Sequence, residues 1–123
     1  MPPEFPAIFA RLRSLLQKHA GKLKVSADSP DEFCLSGGLH PTHKTPMPVA
    51  WVKIGKGYVS FHLMAVYAFP KLLDTVSDPL KKRMQGKSCF NFKRIDEPLF
   101  EELDRLTVAG FKAWRKSPFM KSA

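Results

Sequence analysis

A run of basic residues is the part of this sequence whose composition best fits binding chemistry. Six cations and no acid occur between Asp78 and Asp96: Lys81, Lys82, Arg83, Lys87, Lys93 and Arg94. Such a cluster could neutralise phosphates and give an affinity that falls with salt. Phe90 and Phe92 lie among these cations and could stack on bases, although alternating phenylalanines are more typical of a strand in a core. The alternative is a solvated basic face with no specific partner.

Tyr58, Ser60 and His62 alternate along one predicted strand and therefore share one face. A serine near a histidine could indicate nucleophilic catalysis. Residues two apart on a strand are about 7 Å apart, which is too far for a direct bond between short side chains. The sequence also offers no acid partner for His62. We therefore expect a half-exposed face or a small pocket at Tyr58 and His62, and no catalytic site.

Metal-ligating residue types occur in two places. His40 and His43 follow Cys34 by six and nine residues, and one sulfur with two imidazoles could form an open zinc site. No Cys-x-x-Cys pair accompanies them, so we predict no metal here and keep His40 and His43 only as a weak alternative.

Carboxylates near the C-terminus form the second group: Asp96, Glu97, Glu101, Glu102 and Asp104. They could hold a hard cation, but acids in the first turns of a helix also favour its dipole. Glu101 and Arg105 have the spacing of an ordinary helix-surface pair. We predict no cofactor, and Gly55-Lys56-Gly57 is interpreted as a hairpin turn without a nucleotide.

The composition is that of a globular domain. The chain has 123 residues, 44% of them hydrophobic, and a net charge of +9, which attracts polyanions at long range. No apolar run is long enough to cross a bilayer, and the N-terminus lacks the pattern of a secretory signal. Two cysteines, Cys34 and Cys89, are too few for a disulfide framework, so we expect two reduced thiols in the core of a cytoplasmic protein. Cys89 follows Lys87 and Ser88, and nearby charge could activate its thiol, but burial in a strand is the usual outcome.

The hydrophobic spacing predicts helices at both ends and strands between them. The predicted elements are a helix over 5–20, short strands near 23–25 and 32–35, a loop over 36–48, a hairpin over 49–64, helical pieces over 71–76 and from Asp78, a strand over 88–92, and a helix from about 96 to 116. We expect Val59, Phe61 and Leu63 to face the core. The fold class is therefore a single α+β domain over residues 1–116, with an antiparallel sheet, both terminal helices on one face, and a tail over 117–123.

The stretches 58–64 and 81–92, followed by the helix at Pro98, resemble the YdhG-like family of domains of unknown function. That resemblance implies an N-terminal helix, a hairpin ending in a Val-x-Phe strand, a Lys–Gly–Lys segment before another strand, and a C-terminal helix. The family in turn resembles frataxin-like folds, which implies an iron-handling role. Frataxin-type activity uses an acidic ridge on the first helix, whereas this helix has Glu4 and then Arg11, Arg13 and Lys18.

These observations predict a small non-enzymatic binding module for an anionic ligand or a protein partner. A nucleic acid would be one such partner, and a membrane is not expected. The binding residues would be the six cations of the basic run or the face with Tyr58 and His62. Frataxin-like metal handling is the alternative.

Overall fold

In the computed structural model, residues 4–19, 24–39, 46–86 and 89–115 are described. The elements, in chain order, are α1 (Phe5–Gln17), β1 (Lys24–Ser29), β2 (Glu32–Leu39), β3 (Pro46–Ile54), β4 (Val59–Leu63), α2 (Met64–Ala68), a 3-10 helix (Pro70–Thr75), α3 (Asp78–Lys81), β5 (Met84–Gln85), β6 (Cys89–Phe92) and α4 (Glu97–Arg115). The strands form a six-stranded sheet in the order β1-β2-β3-β4-β6-β5. Each neighbouring pair is antiparallel, so the predicted α+β class with helices at both ends is confirmed.

One face of the sheet forms the core. Phe61 in β4 lies opposite Val52 in β3 and Phe90 in β6, and all three side chains are buried. Val59 and Leu63 are buried on the same face, as the alternation in the sequence predicts. We call the opposite side, which carries Cys34, Trp51, His62 and Cys89, the second face.

The two long helices complete this core. α1 buries six apolar residues that recur at three- and four-residue spacing: Phe5, Ile8, Phe9, Leu12, Leu15 and Leu16. α4 buries a stripe formed by Leu99, Leu103, Leu106, Gly110 and Trp114. α1 packs against β3 and β4, and α4 packs against α1 and α2. The 3.6-residue period thus places both helices against one continuous core.

The predicted loop over 36–48 is wrong at both of its ends. β2 continues to Leu39 and β3 begins at Pro46, with Ser36 opposite Pro48. Two register irregularities interrupt this pairing, one between Leu35 and Ser36 and one between Ser36 and Leu39. β4 pairs with β3 only from Ala50 onward, so this end of β3 has a neighbouring strand on one side only. Pro48 has no N–H to donate, and it is tolerated here as it is on an edge strand. Residues 40–45, including His40 and His43, lie outside the described residues.

The connection after β4 also differs in detail from the prediction. Met64 begins α2 instead of ending the strand. Ser77, not Asp78, caps α3, since its hydroxyl accepts a hydrogen bond from the Leu80 N–H. α3 ends at Lys81, and residues 84–85 then form β5. Within the described ranges, no helix is long and apolar enough to span a membrane, and the predicted tail over 117–123 lies outside them.

At Gly110, α4 lies close to α2 and β4. A Cβ atom built there would lie 3.2 Å from both the Ala65 Cβ and the Leu63 Cδ2. We therefore expect Gly110→Leu to destabilise the domain by about 1–3 kcal/mol through overpacking, measured as a lower midpoint in chemical unfolding.

Ala109→Leu is the matched control, since residue 109 is exposed on the same helix. It should leave the free energy of unfolding nearly unchanged. Equal effects of the two substitutions would show that the close approach at Gly110 does not constrain the packing.

Candidate functional site

The basic run is divided between two segments that meet at the edge of the sheet. Lys81, Lys82 and Arg83 are exposed at and just after the end of α3, and Lys93 and Arg94 are exposed just after β6. Lys87 lies outside the described residues. The backbone N–H of Asn91 donates a 2.8 Å hydrogen bond to the Arg83 carbonyl, which holds the first segment against β6.

The two phenylalanines among these cations do not face a ligand. Phe90 and Phe92 are buried in the core, and the Phe92 ring packs edge-on against Phe100 of α4. Leu80 is buried as well. Base stacking on Phe90 or Phe92 is therefore excluded, and the expectation of core phenylalanines is confirmed.

A cavity of about 270 Å³ lies between the two basic segments. Its lining residues are Tyr58, Lys82, Arg83, Met84, Asn91 and Lys93. We call this the cationic cavity. Three of the six predicted cations thus converge on one concave surface, while Lys81 and Arg94 are exposed but do not line it.

The cations of the cavity differ from those of α1 in their partners. Arg11, Arg13 and Lys18 form ion pairs with Glu97, Asp28 and Asp104, respectively. In the described part of the chain, Lys82, Arg83 and Lys93 form no such pair, and no carboxylate lines the cavity. Their charge is therefore available to an external anion.

Asn91 is the polar residue that the sequence reasoning missed. Its Oδ1 accepts a 2.8 Å hydrogen bond from the Ser60 hydroxyl, and its Nδ2 donates a 2.7 Å hydrogen bond to Gln85 Oε1. These bonds join β4, β6 and β5 and hold the amide in the cavity wall. Alternation along β6 places Asn91, between Phe90 and Phe92, on the face opposite the core. This alternation was the only indication in the sequence that Asn91 could line a binding surface.

Tyr58 and His62 do not form one pocket. Tyr58 lines the cationic cavity, whereas His62 lies farther along the second face and is only 7% exposed. The His62 ring stacks on Trp51 with centroids 3.6 Å apart, and its Nδ1 lies 3.2 Å from Cys89 Sγ. Burial of the imidazole lowers the pKa of His62 from 6.5 to about 4.

Cys34 and Cys89 form no disulfide, and the prediction that both are buried in the core is wrong. Both are half-buried on the second face, because residues 34 and 89 alternate with the core-facing residues Phe33, Leu35 and Phe90. The Cys89 thiol thus contacts His62. The sequence could not identify this contact because the two residues are 27 positions apart in the chain.

Most acids at the start of α4 and along it contact groups of the chain itself. Asp96 Oδ1 accepts a hydrogen bond from the Leu99 N–H at the start of the helix. Glu97 and Asp104 pair with α1, and Glu102 binds both the hydroxyl and the N–H of Ser77. The described ion pairs do not include Glu101–Arg105, and the described residues contain no cluster of three or more metal-ligating side chains.

The lowered pKa of His62 predicts that acid destabilises the fold. Between about pH 6.5 and pH 4 the unfolded chain binds a proton at His62 that the folded chain does not, so stability falls as pH decreases through this window. We expect the melting temperature to decrease less between about pH 7 and pH 5 in His62→Phe than in the original chain. An identical pH dependence in both proteins would show that His62 is not desolvated.

No protein-family model, curated protein or solved structure matches the chain. We therefore infer its function from the residues of the cavity and their charges.

Proposed function

We propose that this protein is a non-enzymatic binding module that holds an anionic ligand, or an anionic group of a partner, in the cationic cavity. The observation that carries the proposal is the convergence of Lys82, Arg83 and Lys93 around one cavity without a carboxylate among its lining residues. Elsewhere in the described chain, Arg11, Arg13 and Lys18 have acidic partners.

The size of the cavity favours a small anionic group. Its volume of about 270 Å³ is just below the range for sites that enclose whole ligands. A phosphoryl or carboxylate group fits such a space, and the rest of a larger ligand would extend over Lys81 and Arg94. A nucleic-acid backbone is one anion of this kind.

The lining side chains suit this binding role. Arg83 can bind two oxygens of one anion through its planar guanidinium, and Lys82 and Lys93 supply point charges. The Tyr58 hydroxyl can donate one further hydrogen bond. Among the described residues of the lining, there is no imidazole, thiol or carboxylate that could act as a base or nucleophile, which supports a binding role over catalysis.

Membership of the YdhG-like family remains part of the proposal, supported by the order of helices and strands. Its implied alternative, frataxin-like iron handling, is the weaker candidate. Such a role would use free carboxylates, but Glu97 and Asp104 pair with cations and Glu102 binds Ser77.

Charge reversal in the cavity tests the proposal. With inorganic pyrophosphate as the probe, we expect Lys82→Glu/Arg83→Glu to weaken binding by about tenfold or more, because two phosphate contacts become repulsive. The affinity of the original chain should also fall as salt increases. Isothermal titration calorimetry at two salt concentrations measures both effects.

The matched control is Lys24→Glu/Lys112→Glu, which changes the net charge equally at two exposed positions. Lys24 lies on β1, at the sheet edge opposite β5. If the control weakens pyrophosphate binding as much as the cavity variant does, binding depends on net charge alone and the cavity is not the site.

A further inference from the structure

A row of four side chains crosses the second face of the sheet. Cys34 lies opposite Trp51, Trp51 opposite His62, and His62 opposite Cys89. Because neighbouring strands pair residue by residue, one register places a thiol, an indole, an imidazole and a second thiol side by side. None of the four lines the cationic cavity.

Within this row, His62 and Cys89 form a thiol–imidazole pair. His62 Nδ1 and Cys89 Sγ are 3.2 Å apart. In the tautomer with its proton on Nε2, Nδ1 accepts the hydrogen of the thiol. The Trp51 ring stacks on the imidazole at an interplanar angle of 13°, which fixes the direction of the Nδ1 lone pair.

The surroundings of the pair allow a reaction at sulfur. Cys89 is half-buried, whereas His62 is almost fully covered. Burial lowers the pKa of His62 to about 4, which makes the imidazole a weak base, so proton transfer from the thiol depends on attraction between the thiolate and the imidazolium that form side by side. A neutral imidazole in contact with a thiol is the arrangement that activates a nucleophile through an adjacent base.

Cys34 provides an internal comparison on the same face. It is also half-buried, but its Sγ donates only a long 3.9 Å contact to the Leu35 carbonyl. β3 and β4 lie between the strands of the two cysteines, so their Cα atoms are about 14 Å apart. A disulfide between them is excluded by this distance.

We propose that Cys89 is a nucleophilic thiol that forms mixed disulfides with small external disulfides, with His62 as the acceptor of its proton. The thiol proton moves to His62 Nδ1 while Sγ attacks one sulfur of the external disulfide. The disulfide bond of the reagent breaks, a new bond joins Cys89 to one half, and the other half leaves as a thiolate. That thiolate takes the proton from His62, so the Cys89 sulfur is oxidised and the leaving sulfur is reduced.

The position of Cys89 also predicts which disulfides react fastest. Cys89 and Asn91 are two residues apart on β6 and share one face, so the thiol is next to the wall of the cationic cavity. Anionic disulfides are therefore expected to react faster than neutral ones. This preference rests on the proposed anion-binding function, whereas the reactivity of the thiol–imidazole pair does not.

Single-thiol variants of the full chain test the reactivity. Cys34→Ser leaves Cys89, Cys89→Ser leaves Cys34, and the rate of reaction with neutral dithiodipyridine is followed by the absorbance of the released thione. We expect Cys89 to react about tenfold faster than Cys34, and both His62→Phe and His62→Asn to remove that difference. Asn keeps a hydrogen-bonding group near the thiol but cannot act as a base, so it separates proton transfer from a simple contact.

His19→Phe is the control, since it removes an imidazole that stacks on Phe111 in the helical layer. It should leave the rate at Cys89 unchanged. The proposal would be overturned if Cys34 and Cys89 reacted at equal rates. It would also be overturned if Cys89 reacted as fast with either His62 substitution as without it.

The charge preference is tested with dianionic dithiobis(nitrobenzoic acid) on the Cys34→Ser background. Lys82→Glu/Arg83→Glu should slow this reagent by a larger factor than it slows dithiodipyridine. If neither rate changes, the proposed preference for anionic disulfides is wrong, but the proposed reactivity of Cys89 is not affected. If only the thiol test fails, the pyrophosphate measurement still decides the anion-binding function.

Discussion

The pairing of β4 with β3 on one side and β6 on the other determines both the core and the chemistry of this protein. A single register places Phe61 between Val52 and Phe90 on the core face, and His62 between Trp51 and Cys89 on the second face. Because side chains alternate along a strand, slipping this register by one residue would turn His62 toward the core and Phe61 toward the second face. The large apolar area of the core side chains therefore also fixes the thiol–imidazole contact.

The same core positions the cationic cavity. Leu80 is buried and anchors α3, while Phe90 and Phe92 anchor β6. Lys82, Arg83 and Lys93 follow these anchors in the chain and are held at the sheet edge, where the hydrogen bond between Asn91 and the Arg83 carbonyl joins the two segments. The basic residues meet because their apolar neighbours are packed, since like charges alone would separate them.

The distribution of acids explains why one basic region is open to a ligand and another is not. The chain has 20 basic and 11 acidic residues, and the ion pairs of the described part join α1 to α4 and to β1. Partly exposed pairs of this kind contribute little to stability. Their larger consequence is that the charge of α1 is locally compensated, whereas the charge at the cavity is not.

The sequence by itself determined the parts of the structure that depend on local periodicity. The apolar stripes of α1 and α4, the core-facing residues of β4 and β6, and the solvated basic run all follow from which side chains share a face within one element. Tertiary structure decided which elements lie side by side. It separated Tyr58 from His62, left Cys89 half-exposed beside His62, and selected three of the six basic residues for the cavity. It also extended β2 and β3 into the segment predicted as a loop, because the end of β3 has a neighbour on one side only and there tolerates proline. These outcomes depend on strand register and on contacts between residues far apart in the chain, which the period of a single helix or strand does not encode.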